Sequence, residues 1–70
     1  MNTLPTNPPR YLSFINTMTK KTFWRVVENG EYATPGVSSF EAILLLWADD
    51  PPATVYDELQ EEFVPLVLGA

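Results

Sequence analysis

Cysteine and histidine are both missing from this sequence of 70 residues. Their absence excludes disulfide bonds, the usual zinc ligands and the side chain that most often serves as a catalytic base. A chain this short forms at most one marginally stable domain, so its stability must come from apolar packing, alone or with a partner. We therefore expect a protein that is not an enzyme and that acts by binding something larger.

Groups that hold cofactors or metals are equally sparse. Asp49 and Asp50 are adjacent carboxylates, but they precede two prolines and lack the set of about five or more spaced oxygens that a calcium loop supplies. The three glycines are isolated from one another and form no phosphate-binding loop. No catalytic, cofactor-binding or metal-binding residue is predicted.

Long apolar runs are absent as well. No stretch approaches the ~18 consecutive apolar residues of a membrane-spanning helix. The first residues, Met1–Pro9, lack the basic start and the apolar segment of a secretory signal. These features predict a protein of the cell cytoplasm that does not interact with a membrane.

Positive charges are few and unevenly placed along the chain. All four lysines and arginines precede Glu28, whereas all nine acidic residues lie from Glu28 onward, and the net charge is −5. A negative net charge argues against a general nucleic-acid binder, because attraction to phosphate dominates such affinity. The asymmetry has two interpretations: it orients the molecule on a charged partner, or a basic hairpin complements an acidic half within one fold.

The amino-terminal residues differ in composition from the rest. Residues 1–9 contain three of the seven prolines, and proline fixes φ and donates no amide hydrogen. We predict a mobile, extended N-terminal arm over residues 1–9, followed by a single small domain over residues 10–70.

A three-stranded antiparallel meander is predicted over residues 10–34. Tyr11–Ile15 is rich in strand-forming residues, and Thr22–Glu28 alternates between two faces. Asn29–Gly30 follows directly, and this dipeptide is the strongest short signal for a hairpin because both residues tolerate positive φ. The alternation favours Trp24 and Val26 on the covered face, which leaves Arg25 on the other.

One or two short helices are predicted to cover this sheet. Ser38–Glu41 has the spacing of a capping box, and the apolar run Phe40–Ala48 suits a helix buried between the sheet and a second element. A second helix is predicted from Thr54, with Val55, Tyr56, Leu59 and Phe63 close to one face and Pro65 at its end. The predicted fold class is α+β.

The basic hairpin is the first candidate for a binding surface. Lys20, Lys21 and Arg25 lie beside Trp24, and arginine and tryptophan dominate many protein interfaces. A lysine pair at a turn also serves to discourage edge pairing, so both interpretations stay open. The predicted protein-binding residues are therefore these three cations together with Arg10, at the start of the domain, and Leu4, an apolar residue of the arm.

Lys20-Lys-Thr-Phe-Trp-Arg-Val-Val-Glu28 resembles the first strand of the small inhibitors of host RNA polymerase that bacteriophages such as T7 encode. The match covers nine residues and requires a one-residue gap at Thr22. The resemblance implies a protein that grips a polymerase subunit by its charged surface, blocks open-complex formation and also affects termination. By position it adds Glu28 to the predicted binding residues. The sequence departs from the family in having no arginine or lysine after Arg25.

Three hypotheses follow. The first is a phage-type regulator that binds bacterial RNA polymerase in the host cytoplasm, without direct contact to nucleic acid. The second is an acidic mimic of nucleic acid that inhibits a host defence nuclease through Asp49, Asp50, Asp57, Glu58, Glu61 and Glu62. The third is a small homodimeric accessory or structural protein, with its seam formed by the apolar tail Leu66–Ala70 and exposed aromatic residues.

Overall fold

Five strands and one helix are found in the computed structural model, which describes residues 4–67. In chain order they are β1 (Arg10–Asn16), β2 (Thr22–Glu28), β3 (Glu31–Tyr32), α1 (Phe40–Trp47), β4 (Thr54–Asp57) and β5 (Glu62–Pro65). The strands form one sheet in the order β3-β2-β1-β4-β5. β1 and β4 are parallel, and the other neighbours are antiparallel. The predicted α+β class is confirmed, but the sheet has two strands more than predicted.

The first three strands form the predicted meander as part of this larger sheet. β1 and β2 pair along their whole length, from Arg10 opposite Glu28 to Asn16 opposite Thr22. Asn29 and Gly30 make the next turn, with φ values of 55° and 80°. β3 has only two residues because the Thr34 hydroxyl, rather than a backbone carbonyl, accepts the Val26 amide at 2.9 Å.

The predicted second helix is wrong, since residues 54–65 form the β4–β5 hairpin. Val55 lies opposite Val64 and Tyr56 opposite Phe63, so these side chains gain cross-strand partners that a lone helix face would not offer. Pro65 closes the outermost strand, where a missing amide hydrogen is tolerated. β4 also pairs with β1, and this contact distant in sequence outweighs the local helical spacing.

Helix α1 begins one residue later than the capping pattern indicated. Ser39, not Ser38, caps it by accepting the Ala42 amide at 3.3 Å. It ends at Trp47, because Ala48 adopts a φ of 70°. The expected burial between two elements is wrong: α1 buries one side on the sheet and leaves Leu45 83% exposed. Within residues 4–67, no helix is long and apolar enough to cross a membrane.

Each face of the sheet carries its own apolar cluster. The cluster on the helix side is centred on Leu12, Val26, Ile43, Trp47 and Val55, with Trp24 packed against it. Trp24 and Val26 therefore lie on the covered face, as the alternation favoured. The opposite side is not simply exposed, because it holds a second cluster of Tyr11, Val27 and Tyr56, with Leu4 and Phe63 packed against it.

The described part of the N-terminal arm lies against this second cluster. The Tyr11 hydroxyl donates to the Pro5 carbonyl at 2.8 Å, and the Asn29 amide donates to the Pro9 carbonyl at 2.7 Å. A Cβ on Gly30 would lie 3.0 Å from Thr6 Cγ2, so the arm passes directly over the β2–β3 turn. The mobility of residues 1–9 stays a prediction, and residues 1–3 lie outside the described part of the chain.

The chain after β5 returns to the helix side. The Leu66 amide donates to the Ala53 carbonyl at 2.9 Å, and the Leu66 side chain packs against the helix-side cluster. Val67 is exposed. The rest of the predicted apolar tail, residues 68–70, lies outside the described residues.

Candidate protein-binding surface

The six predicted binding residues do not form one site. Lys20 and Lys21 lie in the turn between β1 and β2, whereas Arg10 and Glu28 face each other at the opposite end of the same hairpin. Strands of seven residues separate these ends by about 20 Å. Leu4 packs against the second cluster, and Arg25 lies midway along β2.

The lysine turn is the most exposed basic feature. Lys20 adopts a φ of 64°, and the turn is closed by the Thr17 carbonyl, which accepts the Lys20 amide at 2.9 Å. Met18 is fully exposed, and both lysines are exposed. Within residues 4–67, neither lysine has a carboxylate within 4.0 Å. Their charges are therefore available to a partner.

Arg10, by contrast, is engaged within the molecule. Its guanidinium donates to Asp49 at 2.7 Å and to the Trp47 carbonyl, and it lies 4.1 Å from the centre of the Trp47 ring. Glu28 is its second ion-pair partner, at 3.6 Å. A cation at this position stabilises the C-terminal end of α1, where the free carbonyls lie. The separation of charges along the sequence is thus not maintained in space.

Arg25 lies on the sheet face opposite the helix. Its guanidinium is 4.4 Å from the centre of the Tyr32 ring, within the range of a cation–π contact. A Cβ on Gly36 would lie 3.1 Å from the Arg25 guanidinium, so the backbone between β3 and α1 passes closely over the arginine. This packing fixes the direction of the Arg25 side chain.

A polar bridge crosses the same face. The Tyr32 hydroxyl donates to one oxygen of the Glu58 carboxylate, and the Ser13 hydroxyl donates to the other at 2.8 Å. The bridge connects the edge strand β3 to the β4–β5 turn and covers Ser13, which is fully buried. Glu58 was a candidate of the acidic-mimic hypothesis, but the bridge itself was not predicted, because its pairs are 26 and 45 residues apart and share no sequence motif.

The tyrosines of this face are held in their neutral form. Burial, followed by the nearby Tyr56 and Glu58, raises the pKa of Tyr11 to about 12. Burial and the hydrogen bond to Glu58 raise the pKa of Tyr32, and burial also raises that of Tyr56. At neutral pH these phenols are hydrogen-bond donors rather than bases.

The six residues of the acidic-mimic hypothesis are divided between the two ends of β4. Asp49 and Asp50 precede the strand, and Asp49 is paired with Arg10. Asp57 is nearly buried at the other end, where its carboxylate accepts the amides of Leu59 at 3.0 Å and Gln60 at 3.2 Å. Among residues 4–67, no group of three or more potential metal ligands is found.

The fold and surface define a small α+β protein with a basic hairpin turn and a partly uncovered sheet face. No protein-family model matches the chain, no curated protein matches it, and no solved structure matches it.

Proposed function

We propose that this protein is a non-catalytic, phage-type regulator that binds a subunit of bacterial RNA polymerase in the host cytoplasm and inhibits or redirects transcription. The observation that carries the proposal is the form taken by the segment Lys20–Glu28, on which the resemblance rests. It is a single strand, β2, together with the last two residues of the turn before it. Charged residues therefore lie at both ends of one rigid, paired strand.

The lysine turn supports this function because it can engage a protein without disturbing the fold. Lys20 and Lys21 have no carboxylate partner within 4.0 Å among the described residues, and Met18 adds an exposed apolar side chain between the strands. Long-range attraction by such charges speeds encounter with an acidic surface. An exposed methionine adapts its shape to the surface it contacts.

Glu28 is available to a partner at the other end of the strand. Its side chain is 51% exposed, and its pair with Arg10 is long, at 3.6 Å. Exposed ion pairs of this kind contribute about 1 kcal/mol or less. Glu28 could thus exchange Arg10 for a partner's cation at little cost.

The acidic-mimic hypothesis has less support. A nucleic-acid mimic needs its carboxylates displayed together, whereas here Asp57 caps a turn and Glu58 is bound by two hydroxyls. Asp49, at the opposite end of β4, is neutralised by Arg10. Three of the six acidic residues of that hypothesis are therefore engaged within the fold, whereas Asp50, Glu61 and Glu62 are exposed.

The test is binding to purified bacterial RNA polymerase, followed by transcription from a promoter template. We expect the chain to co-elute with the enzyme and to change transcript yield or length. The variant Lys20→Asn with Lys21→Gln removes both charges, and asparagine tolerates the positive φ of Lys20. We expect binding at least tenfold weaker for this variant. Glu41→Gln, on the exposed side of α1, is the control and should bind normally. Absence of co-elution with the parent protein would contradict the proposed function.

A further inference from the structure

One half of the sheet face opposite the helix lies outside both apolar clusters of the described residues. Ile15 and Phe23 lie directly across from each other on β1 and β2, near the lysine turn, and both are only half-buried. They belong to neither apolar cluster of the described residues. Residues 4–9 of the arm cover the far half of this face, around Tyr11.

Positive charges flank this apolar pair. Arg25 follows Phe23 by two residues in β2, so the alternation of the strand places both on the same face. Lys21 precedes Phe23 by two residues just before β2, where the Thr17 amide donates to the Lys21 carbonyl at 2.8 Å and continues the pairing with β1. Within residues 4–67, neither Lys21 nor Arg25 has a carboxylate within 4.0 Å. Leu59, 60% exposed, follows Glu58, whose amide donates to the Phe14 carbonyl at 3.0 Å, so the β4–β5 turn lies beside this part of β1. We call the set Ile15, Lys21, Phe23, Arg25 and Leu59 the Phe23 face.

The polar bridge forms the boundary of the Phe23 face. Ser13 lies opposite Arg25 in the β1–β2 pairing, and the two carboxylate oxygens of Glu58 accept the hydroxyls of Ser13 and Tyr32. Arg25 is directed toward the Tyr32 ring by the same arrangement. The bridge thus occupies the neighbouring carboxylate and leaves a surface that is apolar at its centre and positive at its margin.

We propose that the Phe23 face binds an acidic segment of a protein partner, which inserts an apolar side chain between Ile15 and Phe23 and presents carboxylates to Lys21 and Arg25. Charge complementarity argues for this occupant, and central apolar anchors with a charged rim are the usual anatomy of such interfaces. The inference deepens the proposed function, on which it rests for the identity of the partner as a polymerase subunit.

A single-stranded nucleic acid fits this surface less well. Such ligands require several open aromatic rings for base stacking and a continuous positive groove. Here Phe23 is the one aromatic side chain of the face, and the Tyr32 ring is already covered by Arg25.

The first experiment uses a synthetic peptide in which glutamates alternate with leucines, titrated into the labelled protein and followed by amide chemical shifts. We expect shifts concentrated at residues 14–16 and 21–25. Phe23→Thr and Ile15→Thr, which retain strand-forming residues, should weaken peptide binding roughly 30-fold, as for the loss of an interface anchor. Leu45→Gln removes an equally apolar, more exposed side chain on α1 and should bind within about twofold of the parent protein.

Three results would overturn the inference: no peptide binding, shifts centred elsewhere, or tighter binding of an oligothymidylate than of the peptide. The unfolding temperature of each variant shows whether a loss of binding reflects a loss of fold. The second experiment repeats the RNA polymerase assay with Phe23→Thr. Normal polymerase binding by this variant would overturn the inference and leave the proposed function standing. Failure of the parent protein to bind polymerase, with peptide binding at the Phe23 face intact, would contradict the proposed function and leave the Phe23 face as a binding site for acidic segments.

Discussion

The two faces of the sheet are built in different ways. The helix side is a continuous apolar layer in which Leu12 and Ile43 are fully buried. The opposite side combines the second cluster, which lies under the arm and includes the fully buried Val27, with a polar bridge and the Phe23 face. An eight-residue helix is about 12 Å long and can cover only one side of the sheet. The proposed binding surface, the Phe23 face, lies outside both apolar clusters, so it can change without loss of either core.

The strongest test of this comparison is Ile43→Ala against Ile15→Ala. Ile43 is fully buried, so its truncation removes apolar contacts and leaves a cavity that costs about 3 kcal/mol. Ile15 is half-buried outside both clusters, and its truncation should cost less than about 1 kcal/mol. Chemical denaturation of both variants measures the difference. Equal losses would show that the two faces contribute alike to stability.

A second test concerns the contact between the helix and the sheet. Arg10→Gln removes the ion pairs to Asp49 and Glu28 and the cation–π contact with Trp47. We expect a decrease of about 1–2 kcal/mol in the free energy of unfolding, since these contacts are partly exposed. Lys21→Gln also removes one positive charge, but from a residue without an ion pair among residues 4–67, and should change stability by less than about 0.5 kcal/mol. Equal effects would mean that Arg10 acts only through its net charge.

The sequence predicted the elements that are specified locally. Asn29–Gly30 required a tight turn with positive φ, and the alternation along Thr22–Glu28 assigned Trp24 and Val26 to the covered side. A serine cap before an apolar run predicted α1 to within one residue at its start. Each of these signals depends on neighbours within a few residues, which is the range over which propensity and capping act.

The β4–β5 hairpin was missed because its local pattern fits two structures. Val55, Leu59 and Phe63 recur every four residues, as on a helix face, yet Val55 also belongs to a strand that pairs with β1. Which structure forms depends on a partner strand far away in the sequence. The same cause concealed the polar bridge and the pair of Arg10 with Asp49, since both depend on where β4 and its flanking turns lie.

The polar bridge offers a third, smaller test. Tyr32→Phe removes one hydrogen bond to Glu58, and Ser13→Ala removes the other. Each change should lower the free energy of unfolding by about 1 kcal/mol, with Ser13→Ala the larger because Ser13 is fully buried. The double variant should lose less than the sum of the two, since both hydroxyls bind one carboxylate. Strictly additive losses in a double-mutant cycle would argue against a connected bridge.

The last test distinguishes the two faces by the dependence of stability on pH. No change in the free energy of unfolding is expected near neutral pH from these tyrosines. The three tyrosines with raised pKa values, Tyr11, Tyr32 and Tyr56, all lie on the side opposite the helix. For Tyr11 the pKa rises from 10.0 in the unfolded chain to about 12 in the fold, chiefly through burial. The stability that the neutral Tyr11 phenol contributes is therefore fully present below pH 10. It is lost as the pH rises from 10 towards 12.

Denaturation curves at pH 8, 10 and 11 measure this loss. We expect stability to be flat from pH 8 to just below 10 and to fall above it, with a shallower fall for Tyr11→Phe, which cannot ionise. That variant also loses the hydrogen bond to the Pro5 carbonyl, so it should start about 1 kcal/mol lower at pH 8. If parent and variant lose stability in parallel above pH 10, ionisation of Tyr11 is not coupled to folding. The arm would then not shield Tyr11 from solvent.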